Sequence, residues 1–409
     1  MAEWKTEPLD QCLESLIDYR GKSPTKSRTG IPVLSAKVVK TTGLLRPIEQ
    51  TIAPDYYPQW MTRGLPRPGD VVMTTEAPMG EVIQLNEETS KFALGQRIVC
   101  MRGKAGKLDN TFLRYLLTSP GQQEILASYS TGTTVLGISQ KALRSVPISY
   151  PDFDEQVIIG ELLSALDDKI ELNRQMNETL EASARALFRD WFVDFGPTRA
   201  KMAGAAPYLA PDLWSLFPDR LDDEGKPEGW ERSPLKELLV LQRGFDLPKD
   251  TRTDGAFPVI AASGPSGTHN EMRVSGPGIC TGRSGVLGGV YYITQDFWPL
   301  NTSLWIKDYP NSTPLHALHV LQEIDISAFN AGSAVPTLNR NHIHEMLVIK
   351  PAMPVVTAFD QFAGEFYRRR EANIQESRTL AETRDLLLPK LMSGDIKVAQ
   401  AEKLAGDHL

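Results

Sequence analysis

Cysteine and long apolar runs are both scarce in this chain of 409 residues. The three cysteines, Cys12, Cys100 and Cys280, lie far apart and form no Cys-x-x-Cys pair. We therefore expect neither a disulfide framework nor a zinc site built from thiolates. No stretch approaches the ~18 consecutive apolar residues of a membrane helix. The first residues also lack a basic segment followed by an apolar core, so we expect a cytoplasmic protein.

Catalytic motifs are scarce as well. The glycine-rich segment 282–289 lacks the Gly-x-Gly-x-x-Gly spacing of a dinucleotide site, and a turn between strands explains it better. His342 and His344 lie in a strand-like run that places both imidazoles on one face, but no third metal ligand is evident. Asp219, Glu224 and Lys226 resemble a nuclease signature, yet their spacing is too short for two strands. No phosphate-binding P-loop is present, so we predict no catalytic residue, cofactor or metal.

Charge is distributed unevenly along the chain, whose net charge is -7. Residues 1–150 carry 18 Lys and Arg against 14 Asp and Glu, whereas residues 152–198 carry 4 against 11. Polyanion binding depends on local clusters of cations, so the acidic average does not exclude DNA.

An internal repeat is the most informative pattern. The segment 130–151 aligns without a gap to 330–351, at an offset of 200 residues. Further matches keep the same order while the offset drifts: 94–96 with 300–302, 80–82 with 288–290, 68–69 with 277–278, 31–33 with 257–259, and 20–21 with 243–244. The sequence therefore predicts two copies of one globular domain.

A helical segment follows each copy at the same offset. Apolar and small residues recur at alternating steps of four and three, which predicts a coiled-coil seam. The first seam consists of Ile159, Leu163, Leu166, Ile170, Asn173, Asn177, Leu180, Ala184, Leu187 and Trp191. The second consists of Phe359, Ala363, Phe366, Arg370, Asn373, Ser377, Leu380, Arg384, Leu387 and Leu391. We expect the first helix to end at Phe195-Gly196-Pro197, because proline cannot continue a helix.

Both seams become polar at the same place, Asn173 and Asn177 in the first and Asn373 and Ser377 in the second. Two interpretations stay open. The side chains either face solvent at the helix midpoint or are buried, where they would fix the register of the helix pair. An antiparallel pair would relate the two globular copies by an approximate two-fold axis.

Binding features are better represented than catalytic ones. Residues 20–28 place four cations among small hydroxyl residues in a loop without apolar periodicity, which suits phosphate contact as well as an ordinary solvated loop. The repeated loops at 130–134 and 330–333 offer hydroxyl and amide groups, or form plain turns. The candidates for DNA contact are Arg20, Lys22, Lys26, Arg28, Lys37, Lys40, Thr74, Thr75, Arg97, Ser130, Thr131, Thr133 and Thr134 in the first copy, and Arg243, Arg283, Ser284, Asn301, Thr302, Asn330, Ser333, Asn339 and Arg340 in the second.

The helical segments carry a specific likeness. Residues 166–181 (LDDKIELNRQMNETLE) and 187–197 (LFRDWFVDFGP) closely resemble the central conserved region of type I restriction-modification specificity (S) subunits, the HsdS family. Residues 387–396 (LLPKLMSGDI) are similar to the distal conserved region of that family. Phe217-Pro218-Asp219 and 227–230 resemble the connector that leads into its second recognition domain.

The resemblance implies a non-catalytic subunit that directs two methyltransferase subunits, and the restriction subunits with them, to a bipartite target in double-stranded DNA. The fold class implied is α+β, with two similar α/β target-recognition domains separated by two long antiparallel coiled-coil helices in pseudo-two-fold arrangement. The domains expected are target-recognition domain 1 (1–151), a central helix (152–196), a Pro-rich connector (197–229), target-recognition domain 2 (230–351) and a distal helix with the C-terminal tail (352–409).

The helices are also the expected docking site of the methyltransferase subunits. The candidate anchors are Trp191, Phe192, Phe195, Leu387 and Leu391, which are expected either to be exposed at the helix ends or to pack within the chain. A repeat-domain scaffold without a DNA function is the rival interpretation, which the acidic pI favours slightly. A one-piece restriction enzyme is disfavoured because methylase and nuclease motifs are lacking.

Overall fold

The computed structural model describes residues 4–19, 23–132, 135–329 and 337–406, apart from the side chain of Ser327. The chain divides into two compact units, one formed by Met1–Arg174 with Ile374–Leu409 and the other by Gln175–Asn373. Each unit therefore takes residues from both long helices. Within the described ranges, every helix is too short or too polar to cross a bilayer.

The strands of the first unit form a four-stranded antiparallel sheet, a smaller three-stranded sheet and two strand pairs. They are β1 (Lys5–Pro8), β2 (Leu13–Asp18), β3 (Ile31–Leu34), β4 (Val39–Lys40), β5 (Gly43–Leu44), β6 (Thr51–Ile52), β7 (Val71–Thr75), β8 (Met79–Gln84), β9 (Ala93–Leu94), β10 (Ile98–Gly103) and β11 (Pro147–Tyr150). The large sheet has the order β2-β10-β7-β8, and the small one has the order β6-β3-β9 with β3 parallel to β9. β1 pairs with β11, and β4 pairs with β5.

The second unit repeats this topology. Its strands are β12 (Glu231–Pro234), β13 (Val240–Arg243), β14 (Phe257–Ala261), β15 (Gly264–His269), β16 (Gly278–Gly282), β17 (Val290–Ile293), β18 (Trp298–Pro299), β19 (Ser303–Asp308) and β20 (Leu347–Lys350). The order β13-β19-β16-β17 matches β2-β10-β7-β8, and β12 pairs with β20 as β1 does with β11. β14 is parallel to β18, as β3 is to β9. The predicted repeat is thus present as two domains of one fold.

The match of 94–96 with 300–302 in the sequence alignment is wrong by one residue. The backbone N–H of Gly95 donates to the carbonyl of Leu34, and that of Leu300 donates to the carbonyl of Ile260. Gly95 is therefore equivalent to Leu300, whereas the sequence alignment paired it with Asn301. Arg97 is accordingly equivalent to Thr302. The short motif Leu-x-polar was too degenerate to fix the register.

Helices account for the rest of the regular structure. The first six are α1 (Leu9–Cys12), α2 (Tyr57–Trp60), α3 (Asn110–Thr118), α4 (Pro120–Ser128), α5 (Gln140–Ser145) and α6 (Phe153–Phe188). The others are α7 (Gly196–Met202), α8 (Pro211–Trp214), α9 (Pro314–Glu323), α10 (Arg340–His344), α11 (Met353–Met392) and α12 (Val398–Gly406). Short 3-10 turns lie at Thr89–Lys91, Leu235–Glu237, Lys249–Thr251 and Ile326–Phe329.

The long helix α6 ends through a change of backbone geometry. A π-helical turn at Arg189–Val193 follows it, and Phe195 then adopts a left-handed conformation with φ of 54°. A Cβ at Gly196 would crowd the side-chain ends of Asp190 and Tyr208, which would have to shift. Pro197 opens α7, where its missing N–H costs nothing in the first turn. The predicted end of the helix at Phe195-Gly196-Pro197 is confirmed.

All predicted seam positions of α6 and α11 are buried or half-buried. In the first unit, Asn173 Nδ2 donates to Glu376 Oε2 at 2.8 Å and to Ser377 Oγ at 3.3 Å. Arg384 Nη1 contacts Asp167 Oδ1 at 2.6 Å. Residues early in α6 thus pair with residues late in α11, so the two segments run antiparallel.

The second unit holds the equivalent contacts. Asn373 Nδ2 donates to Asn177 Oδ1 at 2.9 Å, and Arg370 Nε donates to Glu181 Oε1 at 2.5 Å. Asn173 and Asn373 are each only 1% exposed. The interpretation that these residues face solvent is therefore wrong for both. The two seam arginines fit because each has a carboxylate partner on the opposing helix.

Each unit has its own apolar core, to which the long helices contribute. In the first unit, Leu163 and Leu166 of α6 and Leu380, Leu387 and Leu391 of α11 pack against α3 and the β7-β10 face of the sheet. In the second unit, Phe188, Trp191, Phe192 and Phe359 pack with Phe217, Trp230 and α9.

Of the two alternatives for the candidate anchors, packing within the chain is confirmed and exposure at the helix ends is wrong. Trp191 is 1% exposed, Phe192 is 7% exposed and Phe195 is half-buried against the edge of Trp230. Leu387 and Leu391 are each 1% exposed in the first unit. These side chains face the domain cores because the π-helical turn and the seam direct them inward, which no local pattern reveals.

Two buried histidines lie in the aromatic core of the second unit. His316 stacks edge-on to Phe192 at 4.8 Å between ring centroids, and its Nδ1 shares a hydrogen bond of 2.8 Å with Ser312 Oγ. Burial, with His319 nearby, lowers the pKa of His316 from 6.5 to about 3. Burial, with the charge of Arg185, lowers the pKa of His319 to about 4. Both imidazoles are neutral at pH 7.

We predict that Trp191→Ala will lower the free energy of unfolding of the second unit by roughly 3 to 5 kcal/mol, because the side chain leaves a cavity in a packed core. Chemical denaturation followed by circular dichroism measures this. Phe362→Ala is the matched control, since Phe362 lies on α11, contacts the edge of Trp191 and is 45% exposed. Equal, small effects of both substitutions would contradict the packing role of Trp191.

We also predict that acid selectively destabilises the second unit. The pKa values of both histidines are lower in the folded state, so the stabilisation is complete above pH ~6.5 and is lost as the pH falls toward the folded values. Between about pH 7 and 5.5 the two groups together remove about 2 kcal/mol. The measurement is the unfolding free energy against pH for the wild type and for His316→Gln/His319→Gln. If the double variant showed the same dependence of unfolding free energy on pH as the wild type, the two histidines would not be the cause of the acid destabilisation.

Candidate nucleic-acid interface

Cations gather in the first unit around a cavity of about 420 Å³. Lys26, Lys37 and Arg97 line it, together with polar side chains from Ser23, Ser35, Gln50 and Gln96. Lys26 lies in the loop that precedes β3, Lys37 lies just after β3, and Arg97 lies just before β10. The pairing of β3 with β9 brings the two segments that flank β3 next to the segment that carries Arg97.

Most of these cations are exposed and available to a ligand. Lys26 and Arg28 have no carboxylate within ion-pair distance among the described residues, and both are exposed. Lys37 Nζ lies 3.1 Å from Glu49 Oε2, with both side chains more than three-quarters exposed. Arg97 Nε lies 3.5 Å from Glu76 Oε2, also on the surface. Such exposed pairs contribute little, so an anion can displace the carboxylates at small cost.

The remaining candidates in the first unit lie elsewhere or are inaccessible. Lys40 is half-buried, 4.0 Å from Glu81. Ser130 Oγ donates to the carbonyl of Ala127, and the backbone of Thr131 pairs with Gly137. Thr74 and Thr75 cannot contact DNA as folded, because they are 0% and 1% exposed within the sheet. The choice of these two threonines is therefore wrong.

The second unit has a cavity of about 480 Å³ lined by Arg243, Arg283, Thr337, Asn339 and Arg340, with Leu304 at its apolar side. Arg283 Nη1 donates to the carbonyl of Asn301 at 3.1 Å. Arg243 Nη2 lies 3.6 Å from Asp246 Oδ1, which also accepts from the side chain of Asn301. The Asn339 side chain caps α10 by accepting from the N–H of Asn341 at 3.0 Å.

Ser284 and Thr302 frame this cavity through their backbones. The N–H groups of Arg283 and Ser284 both donate to the carbonyl of Thr302, at 2.8 and 3.0 Å. Both Ser284 and Thr302 are half-buried. They position the arginine-bearing segment of the cavity wall.

The backbone around the second cavity has an equivalent in the first domain. In the first, the N–H of Ile138 donates to the carbonyl of Thr75 at 3.0 Å, and in the second the N–H of Leu338 donates to the carbonyl of Arg283 at 2.8 Å. The bridges Glu76–Gly137 and Ser284–Thr337 are equivalent in the same way. The second cavity therefore lies where the segment before α10 meets the end of β16, whereas the first cavity lies beside the equivalent strand ends, at Ala77 and Arg97, and is lined by non-equivalent residues.

Six candidates lie outside the described residues: Arg20, Lys22, Thr133, Thr134, Asn330 and Ser333. Four polar residues that line the cavities and lie outside the loop 20–28, Ser35, Gln50, Gln96 and Thr337, were missed by sequence reasoning. Gln96 directly precedes the candidate Arg97, and Thr337 lies two residues before Asn339, so proximity along the chain was an available signal. Gln50 gave none, because only strand pairing brings it to the site.

The structure also places the glycine-rich segment and the two neighbouring histidines. The glycine-rich segment 282–289 connects β16 to β17, so its assignment to a turn between strands is confirmed. The strand-like assignment of His342 and His344 is wrong, because both lie in the short helix α10. His344 Nε2 accepts a hydrogen bond of 2.9 Å from the N–H of Leu241, which gives it a structural role.

Known proteins share this architecture and parts of this sequence. A family model described as the type I restriction modification DNA specificity domain matches residues 3–182. The type I restriction enzyme MjaIX specificity subunit of Methanocaldococcus jannaschii is 25% identical over 361 residues, which cover 81% of this chain and 78% of the relative.

The HindI specificity subunit of Haemophilus influenzae is 24% identical, over 80% of this chain and 86% of the relative. The crystal structure of the S subunit of a type I restriction-modification system from M. genitalium shares the fold, with a TM-score of 0.59 and 17% identity over 95% of this chain and 96% of that one. These comparisons agree with the repeated domains and the paired helices: residues 3–182 match the type I restriction modification DNA specificity domain, and the chain as a whole is similar to type I restriction enzyme specificity subunits.

Proposed function

We propose that each sheet-bearing domain reads one half of a bipartite target in double-stranded DNA. The observation that supports this proposal is that each domain has a cation-lined cavity beside the same junction of strand ends, although non-equivalent residues line the two cavities. Lys26, Lys37 and Arg97 in the first, and Arg243, Arg283 and Arg340 in the second, supply donors to phosphates and base edges. The domains are residues 1–151 and 230–351, with 197–229 as the connector between them in sequence.

The non-catalytic role follows from the family. In this proposal the chain supplies sequence recognition, and methylation of adenine or cleavage belongs to the other subunits of the complex. The rival interpretation, a repeat-domain scaffold without a DNA function, finds no support in the two relatives named above, both of which are specificity subunits.

The long helices are the proposed docking surface for two methyltransferase subunits. The buried anchors named from the sequence cannot serve directly. Exposed apolar side chains on the helices are better suited, because binding can cover them without unfolding a core. They are Ile158 and Leu172 on α6 and Phe362 and Leu386 on α11.

The assignment of one half-site to each domain predicts the result of a domain exchange. Replacing residues 230–351 by the counterpart from a relative with another specificity should change one half of the methylated sequence and leave the other half unchanged. Sequencing of methylated sites in cells that also express the methyltransferase subunits measures this. The reciprocal exchange of residues 1–151 is the control. A change in both halves would show that the domains form one composite site.

The helix pair predicts how the gap in the target can be lengthened. Four residues inserted after Gln175 and four after Gln375 add one turn, ~6 Å, to both antiparallel helices and preserve their pairing. We expect the same half-sites with a gap longer by one or two base pairs, since each pair adds ~3.4 Å.

An insertion after Gln175 alone is the matched control. It would shift Asn177 relative to Asn373 while Asn173 keeps its partners, so we expect a loss of stability or activity. An active double insertion that keeps the original gap would refute the idea that the helices set the spacing.

A further inference from the structure

Arg283 differs from the other cations of the second cavity in how firmly it is held. Its backbone N–H donates to Thr302, and its carbonyl accepts from Leu338, both at 2.8 Å. Its side chain is half-buried, and Nη1 donates to the carbonyl of Asn301 at 3.1 Å. Backbone and guanidinium are thus held by two separate segments, one at Asn301 and Thr302 and the other at Leu338. An arginine fixed in this way loses little conformational entropy when it binds a ligand.

Within the part of the chain that the structure describes, no carboxylate neutralises the charge of Arg283. No Asp or Glu among the described residues forms an ion pair with its guanidinium, whose side-chain contact is to the Asn301 carbonyl. A guanidinium has five N–H donors, of which the Asn301 carbonyl uses one. The others remain for a planar acceptor in the cavity.

Arg243 and Arg340 have a different character. Both are exposed, and Arg243 lies near Asp246 on the surface. Long, exposed cations suit phosphates, which tolerate variable geometry. Guanine instead presents O6 and N7 in the major groove as a pair of acceptors that matches the fork of a fixed arginine.

We propose that Arg283 reads a guanine base in the half-site of the second domain, while Arg243 and Arg340 contact the flanking phosphates. This inference rests on the proposed function and names the chemistry of one position within it. The first domain cannot use the same contact, because the residue equivalent to Arg283 is the buried Thr75. The two domains therefore read different bases with the same backbone frame.

Methylation-site sequencing of Arg283→Gln, expressed as the full chain with the methyltransferase subunits, tests the proposal. We expect preference at one G·C pair of the second half-site to fall roughly ten- to a hundredfold, with the first half-site unchanged. Arg340→Gln is the matched control. It should weaken binding to all sequences alike and reduce the slope of log affinity against log salt by about one.

A second measurement uses the wild-type complex, so it does not depend on the folding of a variant. Each guanine of the second half-site is replaced in turn by 7-deazaguanine, which removes the N7 acceptor. We expect one position to lose affinity about tenfold. Unchanged affinity at every guanine, or uniform weakening by Arg283→Gln without a change of sequence preference, would overturn the assignment of Arg283. Absence of any sequence preference in the wild-type complex would instead refute the proposed function itself.

Discussion

The antiparallel pairing of α6 with α11 is the interaction on which the rest of the structure depends. Each compact unit completes its core with residues of both helices. Leu163, Leu166 and Leu387 do so in the first unit, and Phe188 and Phe359 in the second. Burial of each such side chain stabilises the fold by about 1.5 to 3 kcal/mol. A sheet-bearing domain and its segment of the helix pair therefore fold as one unit, although they are separate in sequence.

The polar side chains within this pairing fix the register of the two helices at a cost in stability. An apolar seam alone would tolerate a slip of one heptad, because leucines at successive repeats are interchangeable. Asn173 has acceptors on Glu376 and Ser377, and Asn373 has one on Asn177. A slip would leave these buried amides without partners, at a cost of about 1 to 3 kcal/mol each. The charged pairs of Arg370 with Glu181 and Arg384 with Asp167 oppose the same slip.

The sequence predicts the features that depend on periodicity and fails where long-range packing decides. Heptad spacing identified both helices, and the ordered matches identified the repeat. Thr74 and Thr75 were chosen as surface donors because they are polar, but their strand is central and both of its faces are covered. The sequence places Trp191 and Phe192 near a helix end, where exposure was one expected alternative, but the π-helical turn directs both side chains into the core. A period of two and a period of 3.6 cannot be distinguished over three residues, which explains the error at His342 and His344.

The two domains share the same backbone hydrogen bonds at the candidate interface but place different side chains there. At the meeting point of two central strands, the first domain has Thr75 buried on one strand and Arg97 exposed on its neighbour. The second domain has the reverse placement, with Arg283 on the first strand and Thr302 on the second. The backbone hydrogen bonds are retained in both, so the fold does not require a cation on either strand. Because the backbone hydrogen bonds do not depend on which strand carries the arginine, the side chains there can change without loss of the fold, whereas the seam residues of α6 and α11, which hold the pairing, cannot.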